Sequence, residues 1–233
     1  METILEGLSA ALGLLARRDP EVVEILFRTL LVSGTATALS LGVGVPLGYL
    51  LARRRFPGRL FVLSFVNTGM GMPPVVVGLV VWLLLVRSGP FGGWGLVYTV
   101  PAMVAAQFLI ATPLVVGFTA ASIQALPARL PDLLRVLGAG RLRRLALLGR
   151  EARLGLLAAV MAGFGGVVSE VGASMTVGGN LRGQTRILTT AIVTETARGE
   201  TERAIALGVI LLALSFAANL VLTWIQQSSR ADR

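Results

Sequence analysis

Cysteine, histidine and lysine are all absent from the 233 residues of this chain. Without Cys and His there is no disulfide, no thiolate nucleophile, no histidine haem ligand and none of the usual zinc sites. Without Lys there is no G-x-x-x-x-G-K-[ST] phosphate loop, so the chain is not an ATPase of that kind. Charge is scarce as well: 14 % of residues are charged, against roughly 25 % in an average soluble domain. An intramembrane enzyme needs a nucleophile with its base, paired carboxylates or a metal site. One acid inside an apolar run, Glu170, does not meet that need.

Apolar surface is abundant. Hydrophobic residues make up 55 % of the chain and the mean hydropathy is +0.80, which is a membrane protein's composition. The net charge of +9 rests on 21 basic residues, every one an arginine, and most stand beside apolar runs. That is the positive-inside pattern, so the expected surroundings are lipid and no nucleic acid.

Taken in order, residues 1–19 read as an interfacial segment with Ile4, Leu8, Ala11, Leu12 and Leu15 on one face and no basic region like a signal peptide's. Asp19, Pro20 and Glu21 then read as cap, first helical position and first-turn acid of a span reaching about Ala52. Thr29, Ser33, Gly34, Thr37, Gly42, Gly44 and Gly48 give this span a small-residue face. After a basic turn at 53–59, the run 60–86 is interrupted at 67–74, where Gly69, Gly71, Pro73 and Pro74 break the helix. It reads as one broken crossing, with two re-entrant halves as the rival. A third span covers 98–126 with kinks expected at Pro101 and Pro113, a fourth covers 154–177, and a fifth covers 204–225. Thirteen arginines fall in the segments this topology puts inside and seven in those it puts outside. The expectation is therefore an all-α membrane protein, a single transmembrane domain over 1–233, with about five crossings, the amino terminus outside and the carboxyl terminus in the cytoplasm.

Two stretches carry the functional expectations. The first, 127–153, reads as a basic helix–turn–helix held at the cytoplasmic surface: a short helix through Asp132, Leu133, Leu134, Arg135 and Leu137, a left-handed stop at Gly138, and a second helix from Arg141. Leu133, Leu134 and Leu137 are free to insert into a partner; the plain alternative is a charged loop that only fixes topology. The second stretch continues the fourth span. Glu170 lies about 25 Å along a helix from Arg153, near the outer end, where it either pairs with Arg182 or Arg186 or faces a pathway. The turn at 178–180 with Thr176, Asn180, Arg182 and Arg186 offers donors suited to a tetrahedral oxyanion, the alternative being an ordinary outer loop. Residues 179–203 are open between loop, external helix and half-crossing, with a short helix possible at 187–196.

These stretches resemble known proteins. Asp132 and Gly138, with nine residues between Gly138 and Leu148, resemble the cytoplasmic E-A-A loop of ABC importer permeases, although Leu133 and Leu134 replace its alanines and Glu151 its proline. The run SEVGASMTVGGNLRGQTRILTTAI after REARLGLLAAVMAGFGG resembles permease subunits of tungstate ABC importers, within the molybdate/tungstate/sulfate group. The resemblance covers nearly the whole chain and implies a type I importer permease in a prokaryotic inner membrane. It implies a homodimer above two ATPase subunits, which carry the ATP and Mg, with an extracytoplasmic oxyanion-binding protein on the other side. Under it, Asp132, Leu133, Leu134, Arg135, Leu137, Gly138 and Arg141 dock on the ATPase. The breaks at Gly69, Gly71, Pro73 and Pro74 and the glycines Gly163, Gly165 and Gly166 line the axis and let the halves rock. Thr176, Asn180, Arg182 and Arg186 meet the anion or its binding protein, with Glu170 beside them, and the chain holds no cofactor or metal. A secondary transporter working without ATP would instead show charged coupling residues at midplane and an internal repeat, and neither is found.

Overall fold

The computed structural model of the chain describes residues 6–231 apart from 8, 12, 15, 16 and 128, and omits the side chains of 141 and 229–231. Of the apolar residues expected to make the amino-terminal segment amphipathic, Ile4, Leu8, Leu12 and Leu15 lie outside the described residues. The described part is helical without a strand. Its helices are α1 (Pro20–Arg53), α2 (Arg59–Met70), α3 (Pro74–Leu85), α4 (Val100–Gln124) and α5 (Leu130–Val136), then α6 (Arg141–Glu151), α7 (Arg153–Val168), α8 (Gly172–Gly178), α9 (Leu188–Ala197) and α10 (Thr201–Ala231). Three of these, α1, α4 and α10, are each long and apolar enough to cross a membrane, and two bent pairs raise the possible number to five.

Close approach of α1 and α4 builds the centre. Asp19 caps α1 by accepting hydrogen bonds from the Glu21 and Val22 amides, at 3.0 and 3.1 Å, and Pro20 follows at the first helical position. One α1 face then buries Thr29, Ser33, Thr37, Ser40, Gly44 and Gly48, spaced three and four apart as a single helical stripe requires. A Cβ at Gly44 would lie 2.7 Å from Val115, and one at Gly48 would lie 2.7 Å from both Thr119 and the Val116 carbonyl. The expected stripe is corrected at two positions: Gly34 and Gly42 face open space, and Ser40 takes the place between. Ser40 Oγ donates to the Phe108 carbonyl at 3.2 Å.

The order of these contacts fixes the topology. Ser40 meets residue 108, Gly44 meets 115 and Gly48 meets 119, so α1 and α4 are parallel. The chain between them therefore makes one net crossing, which excludes paired re-entrant halves. That crossing is sharply broken: α2 and α3 meet at 104°. Gly69 lies against the Pro113 ring of α4, and Gly78 of α3 lies against the backbone of Ala173. Next, α7 runs antiparallel to α4, since Gly163 packs on Val115 and Gly155 on Ser122. Finally α10 runs parallel to α1, with Ala206, Leu207 and Ile210 in one apolar cluster with Val22 and Ile25. The segments 54–58 and 125–152 and the end of α10 thus share one end of the bundle, and 19–24, 86–99 and 179–203 share the other.

Two sequence expectations change. Pro101 makes no kink, because it sits in the first turn of α4, where no N–H is missed; only Pro113 lies inside the helix. The fourth span is not continuous: α7 stops at Val168, and Ser169–Val171 turn the chain into the short α8. In the amino-terminal segment, Ala11 of the expected apolar face is buried in the cluster of α1, α9 and α10, and Gly7 packs on Ile205.

The α1–α4 contact gives a direct test. Gly48→Val, whose side chain has no room, is expected to cost about 1–3 kcal/mol, whereas Gly34→Ala faces open space and leaves stability within about 0.5 kcal/mol or raises it. Thermal melting of both variants in detergent measures the difference.

Candidate functional site

At the end that carries 125–152, α5 stands away from the bundle and buries none of its residues. Its stop is the one the sequence predicts. Gly138 has φ +75°, its N–H donates to the Arg135 carbonyl, and the Ala139 N–H donates to the Leu134 carbonyl, both at 3.0 Å. This paired closure is available at low cost because glycine carries no Cβ. Leu133, Val136 and Leu137 are 55, 85 and 72 % exposed, an i, i+3, i+4 set on one face. Leu134 is half-buried instead, so it does not share the free face expected of it. Val136 was missed, although its spacing from Leu133 was the signal that could have found it. Asp132 and Arg135 lie 3.9 Å apart and both are largely exposed, a pair that contributes little and leaves both charges free for a partner. Arg141 opens α6, and its side chain lies outside the described residues. α6 turns 73° from α7, anchored by buried Leu148 and by Ala152 at its end.

At the opposite end, the expected anion residues sit in a continuous unit, α8–turn–α9, already engaged with protein partners. Glu170 lies in the break before α8. Its Oε1 accepts the Ala173 amide at 3.0 Å and its carbonyl accepts the Thr189 hydroxyl at 2.9 Å. It pairs with neither Arg182 nor Arg186, which corrects the ion pair weighed from sequence: the early end of α7 puts the carboxylate on a helix N-terminus instead. Thr176 donates to the Gly172 carbonyl at 2.8 Å. Gly179 and Asn180 take positive φ, +67° and +51°, in the turn, and Asn180 Nδ2 donates to Thr194 at 2.5 Å.

The arginines converge on Glu21, the first-turn acid of α1. Its carboxylate lies 2.5 Å from Arg182, 2.7 Å from Arg203 and 3.5 Å from Arg186. Arg186 is buried and also faces the buried Glu195 at 3.7 Å, which in turn meets Arg198 at 3.5 Å. Arg28, buried inside α1, pairs with Glu24 and donates to the Arg186 carbonyl at 3.1 Å. Five arginines and three glutamates leave the cluster with surplus positive charge. The Glu21 carboxylate, by hydrogen bond first and charge second, raises Arg182 further above its ordinary value, so that guanidinium never loses its charge. Glu21 was read from sequence only as a first-turn acid, and Glu195, Arg28 and Arg203 were given no site role; charge at the ends of apolar runs was the signal available.

The predicted hinge positions separate. Gly163 and Gly166 pack on α4 through Val115 and Leu114, and Gly165 faces open space. Pro73 caps α3 and Pro74 is its first residue, while Gly71 ends α2.

With this geometry in place, comparison with known proteins is specific. Residues 44–231 match the family described as binding-protein-dependent transport system inner membrane component. The chain is 40 % identical over 97 % of its length to the tungstate uptake system permease protein TupB of Peptoclostridium acidaminophilum, all of which is covered. It is 30 % identical over 91 % of its length to the molybdenum transport system permease protein ModB of Escherichia coli K12, 96 % of which is covered. Its fold matches a chain of the MetNI methionine ABC transporter in an inward facing conformation, with TM-score 0.71 and 19 % identity over 90 % of this chain and 96 % of that one. The three-dimensional arrangement is therefore that of a type I ABC importer permease, and the chain belongs to the family of binding-protein-dependent inner-membrane transport components. It is a multi-pass transport subunit and not a catalyst; permeases of this kind work with a separate ATPase and a substrate-binding protein.

The network predicts unequal sensitivity. Arg186→Ala leaves the buried Glu195 with one exposed partner and is expected to cost about 3–5 kcal/mol. Arg182→Ala removes a mostly exposed arginine and is expected to shift the denaturation midpoint in detergent far less.

Proposed function

We propose that this chain is the permease of an ATP-driven oxyanion importer and that its substrate is tungstate. The observation that carries this reading is the 40 % identity, across the whole length, to a tungstate uptake permease. Identity to a molybdenum permease is lower but equally continuous, so molybdate is the second reading, with sulfate in the same group. In the mechanism proposed, an extracytoplasmic binding protein delivers the anion to the end carrying 179–203. Thr176, Asn180, Arg182 and Arg186 meet the anion or that protein, with Glu170 holding the start of α8. To accept an anion, Arg186 exchanges its carboxylate partners for the incoming oxygens, which links binding to release of Glu21 and Glu195.

The cytoplasmic end is the one carrying α5. Supporting this orientation are the thirteen arginines assigned to that side against seven on the other, and it puts the amino terminus outside and the carboxyl terminus in the cytoplasm. Leu133, Val136 and Leu137 insert into a cleft on the ATPase, with Asp132, Arg135 and Arg141 at its rim and Leu134 and Gly138 shaping the turn. ATP and Mg bind to a dimer of that ATPase, and this chain holds neither. Two copies of the permease pair across a common axis, the glycines and prolines of the α2–α3 break and of α7 accommodating the rocking of the halves. The exposed apolar faces of α2 and α3, including Phe61, Phe65 and Leu79, supply surface for that pairing and for lipid.

The test is uptake into proteoliposomes containing this chain with its ATPase and binding protein. ATP-dependent tungstate uptake that resists excess molybdate and sulfate is expected. Equal competition by molybdate would transfer the assignment to the second reading, and uptake without ATP would overturn it. Leu137→Asp, which forces a charge into an apolar cleft, is expected to lower uptake by about 10²-fold with melting unchanged. Arg182→Ala is expected to lower uptake as well, and undiminished uptake would remove Arg182 from the pathway.

A further inference from the structure

Where α1 and α4 end together, a cleft of about 360 Å³ is lined by Arg53, Arg54, Arg55, Arg59 and Gln124, with Ile123 and Leu126 among its apolar walls. Among the described residues no acid lines it, and the sequence has no acid at all between Glu24 and Asp132. Arg59 spends its Nε–H on the Leu51 carbonyl, at 2.8 Å. Arg53 does the reverse of what a topology signal requires: its Nε and Nη2 are buried and have no hydrogen-bond partner among the described residues. Arginines that only mark the cytoplasmic side stay hydrated on the surface. A guanidinium with buried, unsatisfied N–H groups beside three like charges is costly unless an anion joins it.

We propose that this cleft binds a phosphate-bearing anion, and that its surroundings favour the head group of an acidic phospholipid. Guanidinium groups and the Gln124 amide supply the fork-shaped and single donors that a tetrahedral oxyanion accepts. The rim supplies the second part of the argument. Phe56, Leu60 and Phe61, next along the chain, are 38, 79 and 77 % exposed, so apolar surface runs directly out of the basic cleft. A phosphodiester held by Arg53 would lay its acyl chains along that surface, as basic pockets at helix ends do with acidic lipids. A free phosphate would satisfy the same donors without using the apolar rim. The site is separate from the Glu21 cluster, which lies at the other end of α1.

The experiment uses the full chain, delipidated in detergent, with bound ligand counted by native mass spectrometry. Phosphatidylglycerol, phosphatidylcholine and isotopically labelled inorganic phosphate are the three probes. Phosphatidylglycerol retention about tenfold or more above phosphatidylcholine, with a comparable loss in Arg53→Gln/Arg54→Gln, is the expected result. Labelled phosphate retained without a lipid preference, and lost in the same variant, would support the anion site and assign it to the free ion. A second variant that keeps Arg53 at the helix end, Arg54→Gln/Arg55→Gln at two exposed positions, repeats the measurement, and thermal melting reports the fold of each. Binding of neither anion, equal retention of the two lipids with no retention of labelled phosphate, or full retention in both folded variants overturns the proposal.

Discussion

The approach of α1 to α4 is the constraint on which the remaining packing depends. At Gly44 and Gly48 the two backbones come so close that a single methyl group would strike the other helix. In a lipid environment apolar side chains gain little by meeting one another, so association rests on dispersion contacts and backbone proximity, which small residues permit. Two hydroxyls of the same stripe fold back: Thr29 and Thr37 donate to carbonyls one turn earlier on α1, both at 2.7 Å, which satisfies them where water is excluded. Parallel packing of α1 and α4 then leaves α7 the groove beside α4, which it fills through Gly155, Gly163 and Gly166.

The two ends of this frame are built to opposite designs. At the Glu21 end, charges are paired within the chain and the Thr29 hydroxyl accepts the Leu188 amide at 3.0 Å, while the buried Arg186 Nε and Asn180 Oδ1 find no partner among the described residues. The segment 185–191 is buried throughout, so what composition presents as a polar outer loop is a plug tied into the core. At the other end, α5 offers bare apolar side chains and unmatched charge. Internal satisfaction resists opening until a better-matched ligand arrives, whereas an unsatisfied surface calls for a standing partner. The two designs fit a protein that passes a signal from one end to the other.

Much of this was legible in the sequence, and the parts that were not share a cause. Local signals read correctly: Asp19 and Pro20 start α1, Gly138 stops α5, and Arg141 starts α6, because capping chemistry depends on neighbours a few residues away. The small-residue stripe was legible as a stripe, but its membership was not, since Gly34 and Ser40 differ only in which way the helix happens to face. The break at Ser169–Val171 carried no proline, and the apolar run continued through it. The pairing of Glu21 with Arg182, Arg186 and Arg203 was beyond local reading altogether, and so Glu170 was given partners that belong to another acid. Among the candidate anion residues, type and neighbourhood were visible from sequence, while their existing partners became visible only in three dimensions.

One consequence of the Glu21 hub concerns how the protein is made. Its partners Arg182 and Arg203 lie 161 and 182 residues further along the chain. At a synthesis rate of about 5–20 residues per second, α1 waits roughly 10–40 s for them. During that interval Glu21 and the buried Arg28 sit at the head of an inserted helix without the late-chain groups that match them. The match for Glu21 is therefore completed only once Arg182 and Arg203, at the start of α10, have been made. A contact at the head of α1 thus waits on residues made far later in the chain.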